Sequence, residues 1–85
     1  MKLVLYTSPN CKLCEDAKLQ LNIALESFKD VEVSEVDITS DDTLHERFLI
    51  RVPVVMHEEE VVQEGIIDFF TIHEYVEGAK QWFIP

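Results

Sequence analysis

The chain has 85 residues, 47% of them hydrophobic, which is enough to fill one core but not two. Its net charge of −10 argues against nucleic acid as a partner, because a phosphate backbone is bound through clustered Lys and Arg. The apolar runs fall far short of the roughly 20 residues that span a bilayer, and the opening MKLVLYTSPN is too weakly apolar for a secretory signal, so the expectation is one soluble cytoplasmic domain over residues 1–85.

Residues 2–6, KLVLY, form an apolar run that suits a buried strand. TSPN comes next as a loop, and a long helical pattern begins behind it. Leu13, Ala17, Leu21, Ala24, Leu25 and Phe28 recur at spacings of three and four, which makes one apolar face. VEVSEVDI reads as a second strand over residues 31–38, with a slip in its alternation at Ser34 and Glu35. Ser40 or Asp41 can cap a short helix through DTLHERFL. VPVVM and EEEVVQ then predict two strands joined by a tight turn. The last helix is expected over 66–77, with Gly78 placed to end it, and AKQWFIP reads as a tail.

This order implies an α/β fold, strand-helix-strand-helix-strand-strand-helix. The first two strands should run parallel through a right-handed crossover. The hairpin adds an antiparallel pair, giving a four-stranded mixed sheet with helices on both faces.

Cys11 and Cys14 are the only cysteines, three positions apart, behind a strand and at the start of a helix. Unpaired N–H groups at a helix start favour a thiolate, and the thiolate is the reactive form of a cysteine. Helical geometry brings the two Cα atoms to roughly the 5.5–6 Å at which a disulfide closes. Cys11 therefore reads as a nucleophile and Cys14 as the thiol that resolves a mixed disulfide. Zinc is disfavoured, because no further cysteine exists and His45, His57 and His73 lack paired spacing; no metal is expected. Two inert, buried cysteines are the rival reading, which their position at a helix start disfavours.

LVLYTSPNCKLCEDAK and, forty residues later, FLIRVPVVM resemble the thioredoxin superfamily, and most closely its glutaredoxin-like branch. The resemblance implies a thioredoxin-like, glutaredoxin-type fold and thiol–disulfide exchange through Cys11 and Cys14. It also implies a cis Val52–Pro53 bond beside the disulfide, on which an extended substrate lies. The dipeptide between the cysteines, Lys12-Leu13, differs from that of typical glutaredoxins and thioredoxins, so a reduction potential does not carry over. Lys12 favours a neighbouring thiolate, while Glu15 and Asp16 work against it. Arg51 is either a bidentate partner for a substrate carboxylate or a solvated strand-edge charge. Where glutaredoxins place Gly-Gly and acidic residues to hold glutathione, this chain has one glycine, Gly65, and Asp68 reads as a surface residue.

The resulting expectation is a monomeric thiol–disulfide oxidoreductase without a tightly bound cofactor. Its partners would be protein or small-molecule disulfides, with glutathione or a disulfide reductase as electron donor. Two rivals stand beside it: a redox-inactive binding module on the same fold, and a dimer that holds an iron–sulfur cluster with Cys11 and glutathione. Tyr6 is expected to pack, the histidines to lie on the surface, and Trp82 and Phe83 to fold back on the core.

Overall fold

The computed structural model describes residues 1–82. They form a four-stranded mixed sheet in the order β2-β1-β3-β4, with β1 at Lys2–Thr7, β2 at Glu32–Asp37, β3 at Val54–His57 and β4 at Glu60–Glu64. β1 runs parallel to β2 and antiparallel to β3, and β3 pairs antiparallel with β4. The helices are α1 (Lys12–Leu25), α2 (Asp42–Phe48) and α3 (Phe69–Trp82), with a short 3-10 turn at Ile38–Ser40.

Alternation along the strands divides the core into two layers. Leu3, Leu5 and Val55 face α1 and α3, where they meet Ala17, Leu21, Ala24, Ile72 and Val76. Val54 and Met56 point the other way, against Ile38 and Phe48 under α2, with Tyr6 packed at the margin. Tyr6 is accordingly a packing residue, stacked on Phe48 with ring centroids 4.6 Å apart.

One strand register and three helix boundaries differ from those the sequence suggests. β2 pairs with β1 in continuous register and contains no slip. As an edge strand it leaves Val33 and Glu35 exposed on one face, so its alternation never has to match a core. α1 ends at Leu25, and Phe28 packs on the core from the loop beyond. α3 starts at Phe69 rather than at 66, and it runs through Gly78 to Trp82 because no left-handed residue stops it. The expectations for the side chains of Trp82 and Phe83 lie outside the described residues.

A bulge in β4 shapes the entry to α3. Val55 pairs with Gln63 while Met56 pairs with Val61, so Val62 is the extra residue. Gln63 is thereby brought to the face of Val55, where α3 begins.

Candidate functional site

One end of the sheet gathers every residue singled out by the cysteine motif and the proline. Thr7 opposes Asp37 on β2, and Tyr6 opposes Val54 on β3, which sets Pro53 beside Thr7. The Gly65 amide donates to the Pro53 carbonyl at 2.9 Å, completing the row. From Thr7 the chain turns through Ser8–Asn10 into α1. Asn10 adopts a left-handed φ of 58°, a conformation that Asn tolerates better than most residues.

Cys11 is the N-cap of α1. It is half-buried, in an extended conformation, and its sulfur accepts a hydrogen bond from the Cys14 amide at 3.1 Å. Cys14 lies inside the first turn and is buried. The two are joined as a disulfide, with Cα atoms 5.2 Å apart. A shallow hollow beside it is lined by Asn10, Cys11, Lys12 and Glu15. Lys12 is exposed there and makes no ion pair among the described residues. A second cleft reaches Cys14 from the β2 side, between Ser8, Lys18, Glu35 and Asp37. Lys18 pairs with Glu35 at 3.0 Å and Glu15 at 3.6 Å, and the bond to Glu35 is the main cause that raises its pKa.

The Val52–Pro53 peptide bond is cis, the isomer that the resemblance implies. Its approach is fixed by the end of α2, where the amides of Arg51 and Val52 both donate to the Phe48 carbonyl, at 2.8 and 3.1 Å. Pro53 is buried and Val52 half-buried. Arg51 is occupied within the protein: its Nε donates to Glu64 at 2.7 Å, and its guanidinium lies 5.3 Å from the Phe48 ring centroid.

Asp68 is a capping residue and not a plain surface acid. Its carboxylate accepts from the Thr71 amide at 2.8 Å, the Thr71 hydroxyl at 2.9 Å and Gln63 Nε2 at 2.8 Å. These bonds, that from Gln63 foremost, hold its carboxyl below the usual carboxylate range. Gln63 Oε1 accepts the Asp68 amide in return at 2.9 Å, and Gln20 on α1 accepts the next amide, Phe69, at 2.9 Å. Asp68 followed three residues later by Thr71 is an N-cap pattern that sequence can disclose. Nothing local announces Gln20, whose partner is 49 residues away.

His57 and His73 are engaged with residues other than the cysteines. His57 Nδ1 is 2.8 Å from the Tyr75 hydroxyl, and the His73 ring is tilted against Phe28. Among the described residues no group of three His, Cys, Asp or Glu could hold a metal ion. Also among them, no helix is long and apolar enough to cross a membrane.

Comparison with solved structures finds the same fold at low identity. A protein from X. campestris matches with a TM-score of 0.68 at 21% identity, covering 89% of this chain and 96% of that one. Thioredoxin-2 of the malaria parasite matches with a TM-score of 0.67 at 10% identity, over 91% of this chain and 81% of its own. Thioredoxin 1 from Thermosipho africanus matches at 0.59 and 18%, over 94% and 99%. No curated protein matches. The model of the Glutaredoxin-like domain (DUF836), however, matches residues 2–77, and with Cys11, Cys14 and the cis proline in this arrangement the chain belongs to that glutaredoxin-like family.

Proposed function

We propose that the protein is a thiol–disulfide oxidoreductase working through Cys11 and Cys14. In its reduced form the Cys11 thiolate attacks one sulfur of a substrate disulfide, forms a mixed disulfide and releases the other substrate sulfur as a thiolate. Cys14 then attacks Cys11 Sγ, expels the second substrate thiolate and closes the Cys11–Cys14 bond. Two electrons pass to the substrate, and the released thiolates take up protons. Val52–Pro53 serves as the platform beside the bond, with Lys12 and Arg51 at its edges. Glutathione or a disulfide reductase restores the dithiol in the cytoplasm.

The observation that carries this reading is the asymmetry of the pair. The more exposed sulfur caps a helix N-terminus, where N–H groups favour an anion, and its partner is buried one turn on. The test is reduction of insulin disulfides by wild type and Cys11→Ser in the presence of a dithiol reductant. Activity in the wild type and none above background in the variant is expected. Equal turnover by both would favour the redox-inactive binding module.

A further inference from the structure

The end of the sheet around Cys11 leaves few polar groups uncommitted among the described residues. Several of the polar groups that a small, charged thiol peptide could use are already engaged by the protein. The Arg51 Nε is on Glu64, the Asp68 carboxylate is on Gln63 and Thr71, and the Phe69 amide is on Gln20. The Val52 amide is on the Phe48 carbonyl. Lys12 alone remains as an uncommitted cation beside the disulfide, among the described residues. Displacing any of these internal bonds costs about what the new bond returns.

Apolar side chains stand where polar handles do not. Leu13 lies between the two cysteines and is exposed. Ile50, two residues before Val52, is 95% exposed, and Ile66, next to the Gly65 that bonds to Pro53, is 73% exposed. Phe69 and Phe70, at the start of α3, are exposed as well. Apolar groups thus border the disulfide and cis proline from α1, from the segment before Pro53 and from the segment after β4. Large apolar groups left exposed on the very segments that carry the disulfide and the cis proline suit a contact surface. Lys12 and the Glu15-paired Lys18 are the cations on this part of α1, but Asp16 beside them is exposed and the whole chain carries −10, so the overall field is acidic. That field repels glutathione, itself an anion, and attracts cationic chains.

On the reading of Cys11–Cys14 as an exchange site, we infer that its thiol partner is a polypeptide segment, apolar beside its cysteine and basic in its flanks, rather than glutathione. The oxidised protein can be tested directly. A substrate thiolate attacks Cys11 Sγ, a mixed disulfide forms and Cys14 leaves as a thiolate that takes up the proton. No outside oxidant is required for that step.

The experiment measures the rate of mixed-disulfide formation, per thiolate, with 2-mercaptoethanol, glutathione and short peptides carrying one cysteine. The peptides have leucine or serine beside the cysteine and lysine or glutamate in the flanks. The leucine–lysine peptide should exceed glutathione by about tenfold or more, with an advantage that shrinks as salt rises. The ratio of its rate to that of 2-mercaptoethanol should fall several-fold in Ile50→Ser/Ile66→Ser, whose exposed positions leave the core intact. Glutathione reacting as fast as the peptide would overturn the inference. So would a glutamate-flanked peptide matching the lysine-flanked one, or an unchanged ratio in the double variant. If 2-mercaptoethanol cannot open the bond at all, the oxidoreductase reading itself fails.

Discussion

The amide of Cys14 donates to Cys11 Sγ across 3.1 Å, so a sulfur does the work that Ser, Thr or Asp does at most helix starts. Serine at position 11 can take over that cap without the redox chemistry. Cys11→Ser and Cys14→Ser both lose the short cross-link, worth about 2 kcal/mol in chain entropy, and should unfold at similar denaturant concentrations. Their chemistry should diverge. Cys11→Ser should form no mixed disulfide with a substrate, while Cys14→Ser should accumulate one at Cys11, detectable by intact mass. In the reduced wild type, Cys11 should also be alkylated at neutral pH well ahead of the buried Cys14. Accumulation on Cys14 instead would reverse the assignment of nucleophile.

Phe48 links the second core layer to the approach to Pro53. It is fully buried, stacked on Tyr6, and flanked by the guanidinium groups of Arg47 and Arg51 at 4.8 and 5.3 Å from its centroid. Its carbonyl holds the amides of Arg51 and Val52. Phe48→Ala should cost about 3–5 kcal/mol, a large share of a small domain's stability. Phe48→Leu should cost about 1–2 kcal/mol and keep the fold. In urea titrations the two should separate clearly. Because the last turn of α2 sets the position of Val52, the leucine variant should also exchange disulfides more slowly than its stability loss explains.

Much of this architecture is readable from the residues. A strand, a loop and C-x-x-C at the start of a 3.6-period run place Cys11 at a helix end without further help. Pro53 at the head of an apolar run marks a strand start. The exceptions have physical causes. Ile66 and Ile67 look like helix because they are apolar, yet Gly65 at φ 82° and the Asp68 cap delay α3 to Phe69. Gly78 looks like a stop, but a glycine ends a helix only where the chain turns left-handed. Glu64 and Gln20 carry no local signal because each acts on a residue distant in sequence. The role of Arg51 turns on such a partner.

Asp68 couples the start of α3 to pH. Its folded carboxyl binds a proton less readily than the unfolded one, whose pKa is near 3.8, chiefly because Gln63 and Thr71 donate to the ionised form. A depressed acid stabilises the fold above the unfolded pKa and loses that contribution as pH falls through the folded one. Asp68→Ala should therefore lower the unfolding midpoint at pH 7. The difference from wild type should persist to about pH 4 and close below it. A difference that stayed constant down to about pH 2.5 would mean that the ionised cap is not its source.

Two positions with positive φ should respond in opposite directions. Glu58, in the turn between β3 and β4, has φ 57°, and Gly65 has φ 82°. A side chain in this region costs about 1 kcal/mol, and glycine avoids the cost. Glu58→Gly should therefore raise stability by about that amount, helped by breaking the Glu58–Glu60 run of like charges. Gly65→Ala should lower it by a similar amount. The space around Gly65 is open, so the loss reflects backbone conformation and not a clash. Chemical denaturation of the two single variants checks both signs.

Tyr75 ties α3 to the hairpin at the far end of the sheet. Its hydroxyl donates to Glu60 at 2.6 Å and lies 2.8 Å from His57 Nδ1. Burial first, then the bond to Glu60 and the charges of Glu60 and Glu58, push its pKa up from 10.0 to about 12. A raised acid holds its proton in the fold after the unfolded chain has lost it. The contribution is therefore complete below pH 10 and disappears as pH rises toward about 12. Tyr75→Phe removes both hydrogen bonds and should cost about 1 kcal/mol at pH 7. Above pH 10 the wild type should lose stability faster than the phenylalanine variant, and the gap between them should narrow. Urea midpoints for both proteins at pH 7, 9 and 10.5 measure it, and a gap of constant size would show that the phenol's proton is not what the network holds.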